Sequence, residues 1–311
     1  MLNWIPDIPA GVMRNHALSA DVRFAAVCES KFMSFVRTEK NFGRKKGERL
    51  TIQRIRNIAE PTSAVLETNI KIPEDSFALS TTYGDVKEIG RALPYEDLAL
   101  QLNNFDLEQP IQKQLRRQMK LVLDTMCSAE FKTAYICATL ASDTTITWAT
   151  AGTPGGAMAG NLSVVHCGLI RDYLVSTLFC PPYEGDDYIG LGSTKLLRGL
   201  KNDNAFTSWK QYLQQGDLLF KSEVGRVENI RWVEVNHGNA LSSATTYGEG
   251  LVFGEDPVVM AEVMAPELTV AIPGDHGRAK SIAWRGILCF ILVWGETASA
   301  GEANVIRICG T

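Results

Sequence analysis

From Gly47 onward, Leu50, Ile52, Arg54, Arg56 and Ile58 alternate with Thr51, Gln53, Ile55 and Asn57, a two-residue period rich in β-branched side chains that predicts a strand. A second β-rich run at residues 77–89 follows the turn Pro73-Glu74-Asp75-Ser76, so residues 47–90 read as a long two-armed hairpin with extra segments near its tip. Two strands have no core of their own, so such a hairpin needs a surface to lie on. Residues 106–141 carry the clearest helical stripe. Ile111, Leu115, Met119, Val122, Met126, Ala129, Thr133, Ile136 and Leu140 step by three or four, and Lys113, Arg117, Lys120, Asp124 and Lys132 fall on the opposite side.

Ahead of the hairpin, a Pro-rich start leads into an amphipathic helix predicted over residues 17–38. Beyond the long helix the pattern predicts a strand at 145–149, a Gly-rich turn at 152–160 and a helix at 163–179 ended by Pro181 and Pro182. A strand at 188–192 and helices at 194–200 and 205–213 follow. Residues 216–235 alternate again as two strands joined around Gly225. Strands at 258–264 and 268–272 and a buried strand at 286–294 close the chain. Strands at both ends enclosing helices define an α+β architecture.

Composition narrows the function. A chain of 311 residues, 45% hydrophobic and 21% charged, buries a core of ordinary size. A formal charge of -4 argues against a surface that grips nucleic acid everywhere and leaves room only for local contact. The exception is the stretch from Lys31 to Arg56, with nine Lys or Arg against Glu39 and Glu48. It reads as a solvated basic surface, or as contact with an acidic neighbour or DNA. The seven cysteines are odd in number, scattered and free of C-x-x-C pairs, which fits buried thiols in a reducing cytoplasm. The N-terminus has no signal-peptide pattern and no segment has the length of a membrane span, so neither secretion nor a membrane is expected.

Catalytic motifs are weak. Gly190-Leu191-Gly192-Ser193-Thr194-Lys195 joins a strand to a helix but lacks the spacing that cradles phosphate. His166 and Cys167 are adjacent, and on a helix adjacent side chains diverge by about 100°. The four histidines (16, 166, 237 and 276) show no metal-binding spacing. Neither an enzyme nor a cofactor is expected.

The order of arm, long hairpin, spine helix, mixed α/β region and closing β segment resembles the Hong Kong 97-like major capsid proteins of tailed double-stranded DNA phages. Residues 219–235, Leu-Phe-Lys-Ser-Glu-Val-Gly-Arg-Val-Glu-Asn-Ile-Arg-Trp-Val-Glu-Val, are similar to a segment near the end of the axial domain in the podophage-type subgroup. Here Ser222 and Asn229 replace glycines and Trp232 replaces Phe. Lys46-Gly47-Glu48-Arg49-Leu50-Thr51-Ile52 and Thr82-Tyr83-Gly84-Asp85 fit the two hairpin strands of that family. The resemblance covers residues 40–311. It implies an N-terminal arm at 1–46, an E-loop hairpin at 47–95, a peripheral domain with the spine helix at 96–155, an axial domain at 156–255 and peripheral strands at 256–311.

The same resemblance implies a virion shell protein, assembled in the host bacterial cytoplasm as pentamers and hexamers, each hairpin lying on a neighbour and the inner face meeting packaged double-stranded DNA. A separate scaffolding protein, a portal and optionally a decoration protein are its expected partners. The expected assembly residues are Arg44, Lys45, Lys46, Arg49, Arg54 and Arg56 of the basic stretch, with Ile70, Lys71, Ile72, Glu74 and Asp75 at the tip. Lys71 is read as a solubilising charge and not as a cross-linking site. Two alternatives stay open. An encapsulin-like nanocompartment shell would carry an enzyme cargo, and a hydrolase would use Cys167 or Ser193.

Overall fold

The computed structural model describes residues 28–39, 42–58, 60–61, 65, 71–102, 108–203, 223–242, 247–271, 276, 278–295, 297, 299 and 301–311. A 3-10 turn at Phe32–Phe35 leads into β1 (Val36–Thr38), β2 (Arg49–Ile55), β3 (Leu79–Asp85), β4 (Lys87–Glu96), α1 (Asp97–Leu102) and α2 (Glu108–Phe131). There follow β5 (Ile136–Leu140), β6 (Ile146–Ala149), α3 (Val164–Asp172) with a π turn at Tyr173–Thr177, β7 (Tyr188–Ser193) and α4 (Thr194–Asn202). The chain closes with β8 (Glu223–Val227), β9 (Ile230–Val235), β10 (Gly248–Phe253), β11 (Val258–Val270), β12 (Ala279–Leu292) and β13 (Val305–Gly310). The helix expected at 205–213 lies outside the described residues, as does all of the N-terminal helix up to residue 27.

Two larger sheets and the two-stranded hairpin β2-β3 organise these elements. One has the order β1-β11-β12-β4, and the other the order β6-β5-β13-β10-β7-β9-β8. The first is a middle layer. Even-numbered residues of β12, Ile282 and Trp284, pack against Ile111 and Leu115 of α2. The odd-numbered Cys289 and Ile291 face the other way and are covered, with Ala261, by Leu50 and Ile52 of β2, Phe42 and Val86. Helix, sheet and hairpin thus stack as three layers. A third cluster joins the two sheets around Phe131 and Phe253, whose rings lie 5.1 Å apart, and Phe32 and Phe35 insert into it. Phe32 and Phe35 are therefore part of the core, and the residues from Phe32 on form a turn and a strand where the sequence pattern predicted helix.

Several boundaries differ from the sequence expectation for identifiable reasons. The spine helix stops at Phe131, so it is about 36 Å long. Ile136 and Leu140 continue its stepping only by coincidence. They belong to β5, buried at all five positions between β13 and β6, where ladder bonds and complete burial outweigh another helical turn. The turn between β8 and β9 is Glu228-Asn229, both at positive φ (49° and 58°) as a two-residue hairpin requires. Gly225 instead sits at a bulge in that ladder. The strands expected at 258–264 and 268–272 are one strand, β11, which absorbs Pro266 through irregularities on either side of Met264. Pro266 lies beyond the short stretch that pairs with β1, where a missing donor leaves no ladder bond unmade.

Candidate assembly surfaces

The hairpin alternates strictly. Its ladder runs from Arg49 opposite Asp85 to Ile55 opposite Leu79. Leu50, Ile52 and Arg54 point to the sheet beneath, opposite Gly84, Thr82 and Ser80. The approach at Gly84 is close, since an added Cβ would lie 2.5 Å from Ile291 Cγ1. The outer face carries Ile55, Leu79 and Tyr83, each more than half exposed. Ile58, Val65, Ile72 and Phe77 continue that exposure toward the tip. The base of the hairpin thus rests on its own subunit, while its outer face and the apolar residues described toward its tip are exposed.

This division sorts the expected assembly residues. Arg54 is 5% exposed and donates from Nη1 to the Val293 carbonyl at 2.8 Å, with its guanidinium over the Trp294 ring. Arg56 Nε lies 3.7 Å from Glu302 Oε1. Arg49 donates to both oxygens of Asp85, at 2.6 and 3.2 Å, and stacks on Tyr83. That guanidinium holds the Asp85 carboxyl below its ordinary value. These three arginines engage their own subunit. Arg44, Lys45 and Lys46 are exposed together in a tight turn, with Lys45 and Gly47 both at positive φ. Lys71 pairs with Glu74 at 2.5 Å, and Ile72, Glu74 and Asp75 are exposed near it. Ile70 lies outside the described residues.

One residue that the sequence pattern misplaced holds the arm. Asp124 was expected on the solvent side of the spine helix, yet it is fully buried. Its Oδ1 accepts from Ser30 Oγ at 2.9 Å and from the backbone N–H groups of Lys31 at 3.0 Å and Phe32 at 2.8 Å. Its Oδ2 lies 3.1 Å from Nδ1 of the buried His237. Beside it, the Glu29 N–H donates to Asn236 Oδ1. The carboxylate joins the spine helix, the arm and the loop after β9, and repays its burial with several charge-assisted bonds. The signal in the sequence was the second stripe Leu123, Cys127 and Phe131, which turns the buried face toward Asp124 along the helix.

The Glu249 cluster and the motifs at Gly190–Lys195 and His166-Cys167 make contacts within the fold. Glu249, 3% exposed, binds Lys132 Nζ at 2.7 Å, Arg307 at 2.6 Å and the Ser242 N–H at 2.9 Å. Burial pushes this carboxyl up, but those three partners together outweigh it and hold it below its ordinary value. In the Gly190–Lys195 segment the glycines allow close packing, since an added Cβ at either Gly190 or Gly192 would lie 2.7 Å from Trp232 or Leu197. Ser193 is buried and caps α4. His166 forms a capping box with Ser163 at the start of α3. Cys167 is fully buried, and burial raises its thiol to about 12. Among the seven cysteines Cys28 alone is partly exposed. Brief alkylation of the folded protein followed by peptide mass spectrometry is therefore expected to label Cys28 only. Labelling of Cys167 would restore the thiol nucleophile.

A scan of protein-family models finds no match, and no curated protein matches the sequence. Comparison with solved structures finds strong likeness along the whole chain. The cyanophage Pam1 capsid asymmetric unit superposes with a TM-score of 0.71 at 13% identity, covering 100% of this chain and 99% of that one. The head structure of Helicobacter pylori bacteriophage KHP40 gives 0.70 at 12% identity, covering 96% of each chain. The capsid of Ralstonia phage GP4 gives 0.63 at 13% identity, covering 100% and 97%. The chain has the mixed α+β fold found in these phage capsid structures, and it spans nearly the full length of the chains it matches.

Proposed function

We propose that the chain is the main shell protein of a tailed double-stranded DNA phage, with the Hong Kong 97-like arrangement of arm, E-loop, peripheral and axial regions. On this reading it is a structural subunit without catalytic activity. It forms pentamers and hexamers of an icosahedral shell around packaged DNA, with a separate scaffolding protein and a portal, and it is assembled in the bacterial cytoplasm. The observation that carries the reading, given the fold, is the uncovered outer face of the hairpin. Ile55, Ile58, Val65, Ile72, Phe77, Leu79 and Tyr83 all lie more than half exposed on one projection. So much apolar surface on a single feature marks a site of association. Covering each Ile, Leu or Phe contributes about 1.5–3 kcal/mol before the cost of ordering the loop. Sedimentation velocity of the purified chain tests the proposal. Rings or shells are expected, and a monomer at every concentration and salt would refute it.

The basic turn Arg44-Lys45-Lys46 is assigned to contact with acidic surfaces of neighbouring subunits, since three consecutive cations are exposed together beside the hairpin base. Neutralising the three together is expected to impair assembly even with no DNA present. Normal empty shells from that variant would remove the turn from the interface.

A further inference from the structure

The solvent face of α2 carries Lys113, Arg116 and Lys120, all exposed, with the half-buried Arg117 among them. No acidic residue lies between Glu108 and Asp124 in the sequence. Asp124 itself is buried. Solvated helix faces ordinarily mix both signs, because like charges three or four residues apart destabilise a helix. Here Lys113 and Arg116, Arg116 and Lys120, and Arg117 and Lys120 all stand at such spacings. The chain as a whole is acidic at -4, so this row opposes the overall balance.

We infer that this stripe is a contact for the phosphate backbone of double-stranded DNA. Successive cations lie about 5 Å apart along the helix axis. Duplex DNA presents one charge per about 1.7 Å of its length, so such a row meets phosphates in any sequence. Gln112 and Gln114 flank the stripe with amides that hydrogen-bond to phosphate and sugar. Position supports the same partner. α2 covers one face of the β1-β11-β12-β4 sheet and the hairpin covers the other, so the basic stripe and the apolar hairpin face opposite ways. In a wall one subunit thick, the hairpin engages neighbours while α2 faces the contents. The inference rests on the shell reading and adds which residues meet the cargo.

The test compares the full chain with its Lys113→Gln/Arg116→Gln/Lys120→Gln variant. Each is titrated by fluorescence anisotropy with a random duplex of about 30 base pairs between about 50 and 200 mM salt. Loss of three phosphate contacts is expected to reduce the slope of log affinity against log salt by about 3 and to weaken binding by about 10- to 100-fold at the lower salt. An unchanged slope overturns the inference. So does polyglutamate that competes for the stripe as well as DNA at equal charge, which would make the partner an acidic protein segment. Electron microscopy of both chains reads the shell assignment separately. If neither forms shells, that assignment fails, whereas shells from both with equal slopes overturn the stripe alone.

Discussion

Replacing residues 67–76 with a short Gly-Ser turn is expected to abolish closed shells while the unassembled subunit melts within about 2 °C of the parent. The two halves of the hairpin differ in what they touch. Leu50, Ile52 and Arg54 are built into the subunit, against Ala261, Cys289, Ile291 and the Val293 carbonyl. Within the replaced segment, Ile72 is 64% exposed, and the Lys71–Glu74 pair is exposed on both sides. An exposed ion pair is worth less than about 1 kcal/mol, and surface changes away from the core usually stay within about 0.5 kcal/mol. The described residues 71–76, all exposed, therefore contribute almost nothing to the folded subunit. The shell loses apolar contact at every subunit, and a small deficit per contact, repeated around a closed lattice, prevents closure. Differential scanning calorimetry and negative-stain microscopy on one preparation check both halves of this expectation. A variant that misfolds, or one that assembles as well as the parent, would transfer the hairpin's role to folding or remove it altogether.

The second large effect is expected at Asp124. In Asp124→Ala, Ser30 Oγ, the Lys31 and Phe32 N–H groups and the His237 imidazole lose their acceptor at a largely buried site. Breaking a buried charged arrangement by deleting one partner costs about 3–5 kcal/mol, which lowers the melting temperature by on the order of 10 °C for a chain of this size. Asp124→Asn retains an oxygen for the arm donors and is expected to lose about half as much. Hydrogen exchange at residues 30–38 should rise before global unfolding, because the arm is freed first, with Phe32 and Phe35 withdrawing from the core. A melting temperature within a degree of the parent would mean that the carboxylate does not hold the arm.

How far the sequence disclosed these features depends on whether each signal is local. The hairpin strands are legible because a strand with one covered face alternates, and Leu50, Ile52 and Arg54 share one parity. That parity already placed Arg54 with the inward residues, although its charge pointed to a partner outside the chain. The end of the spine helix was obscured because Ile136 and Leu140 fall in step with the helical stripe, while the forces that pull them into β5 come from β13, some 170 residues later. Asp124 was hidden for the same reason. Its partners at residues 30–32 and 237 are distant in sequence, and beside Arg117 and Lys120 an aspartate reads as solvent-facing. The stacking of helix, sheet and hairpin, which separates the basic face from the apolar one, is likewise a product of long-range pairing.

The claim that this chain builds a shell is tested most directly by cryo-electron microscopy of the full chain produced together with the genes that neighbour its own. Closed particles with five- and six-fold capsomers are expected, in which density for the distal hairpin, residues 55–79, lies across the adjacent subunit and covers Ile55, Ile72, Phe77 and Leu79. Monomers or irregular aggregates under all conditions, or closed particles whose hairpins touch no neighbour, would contradict it.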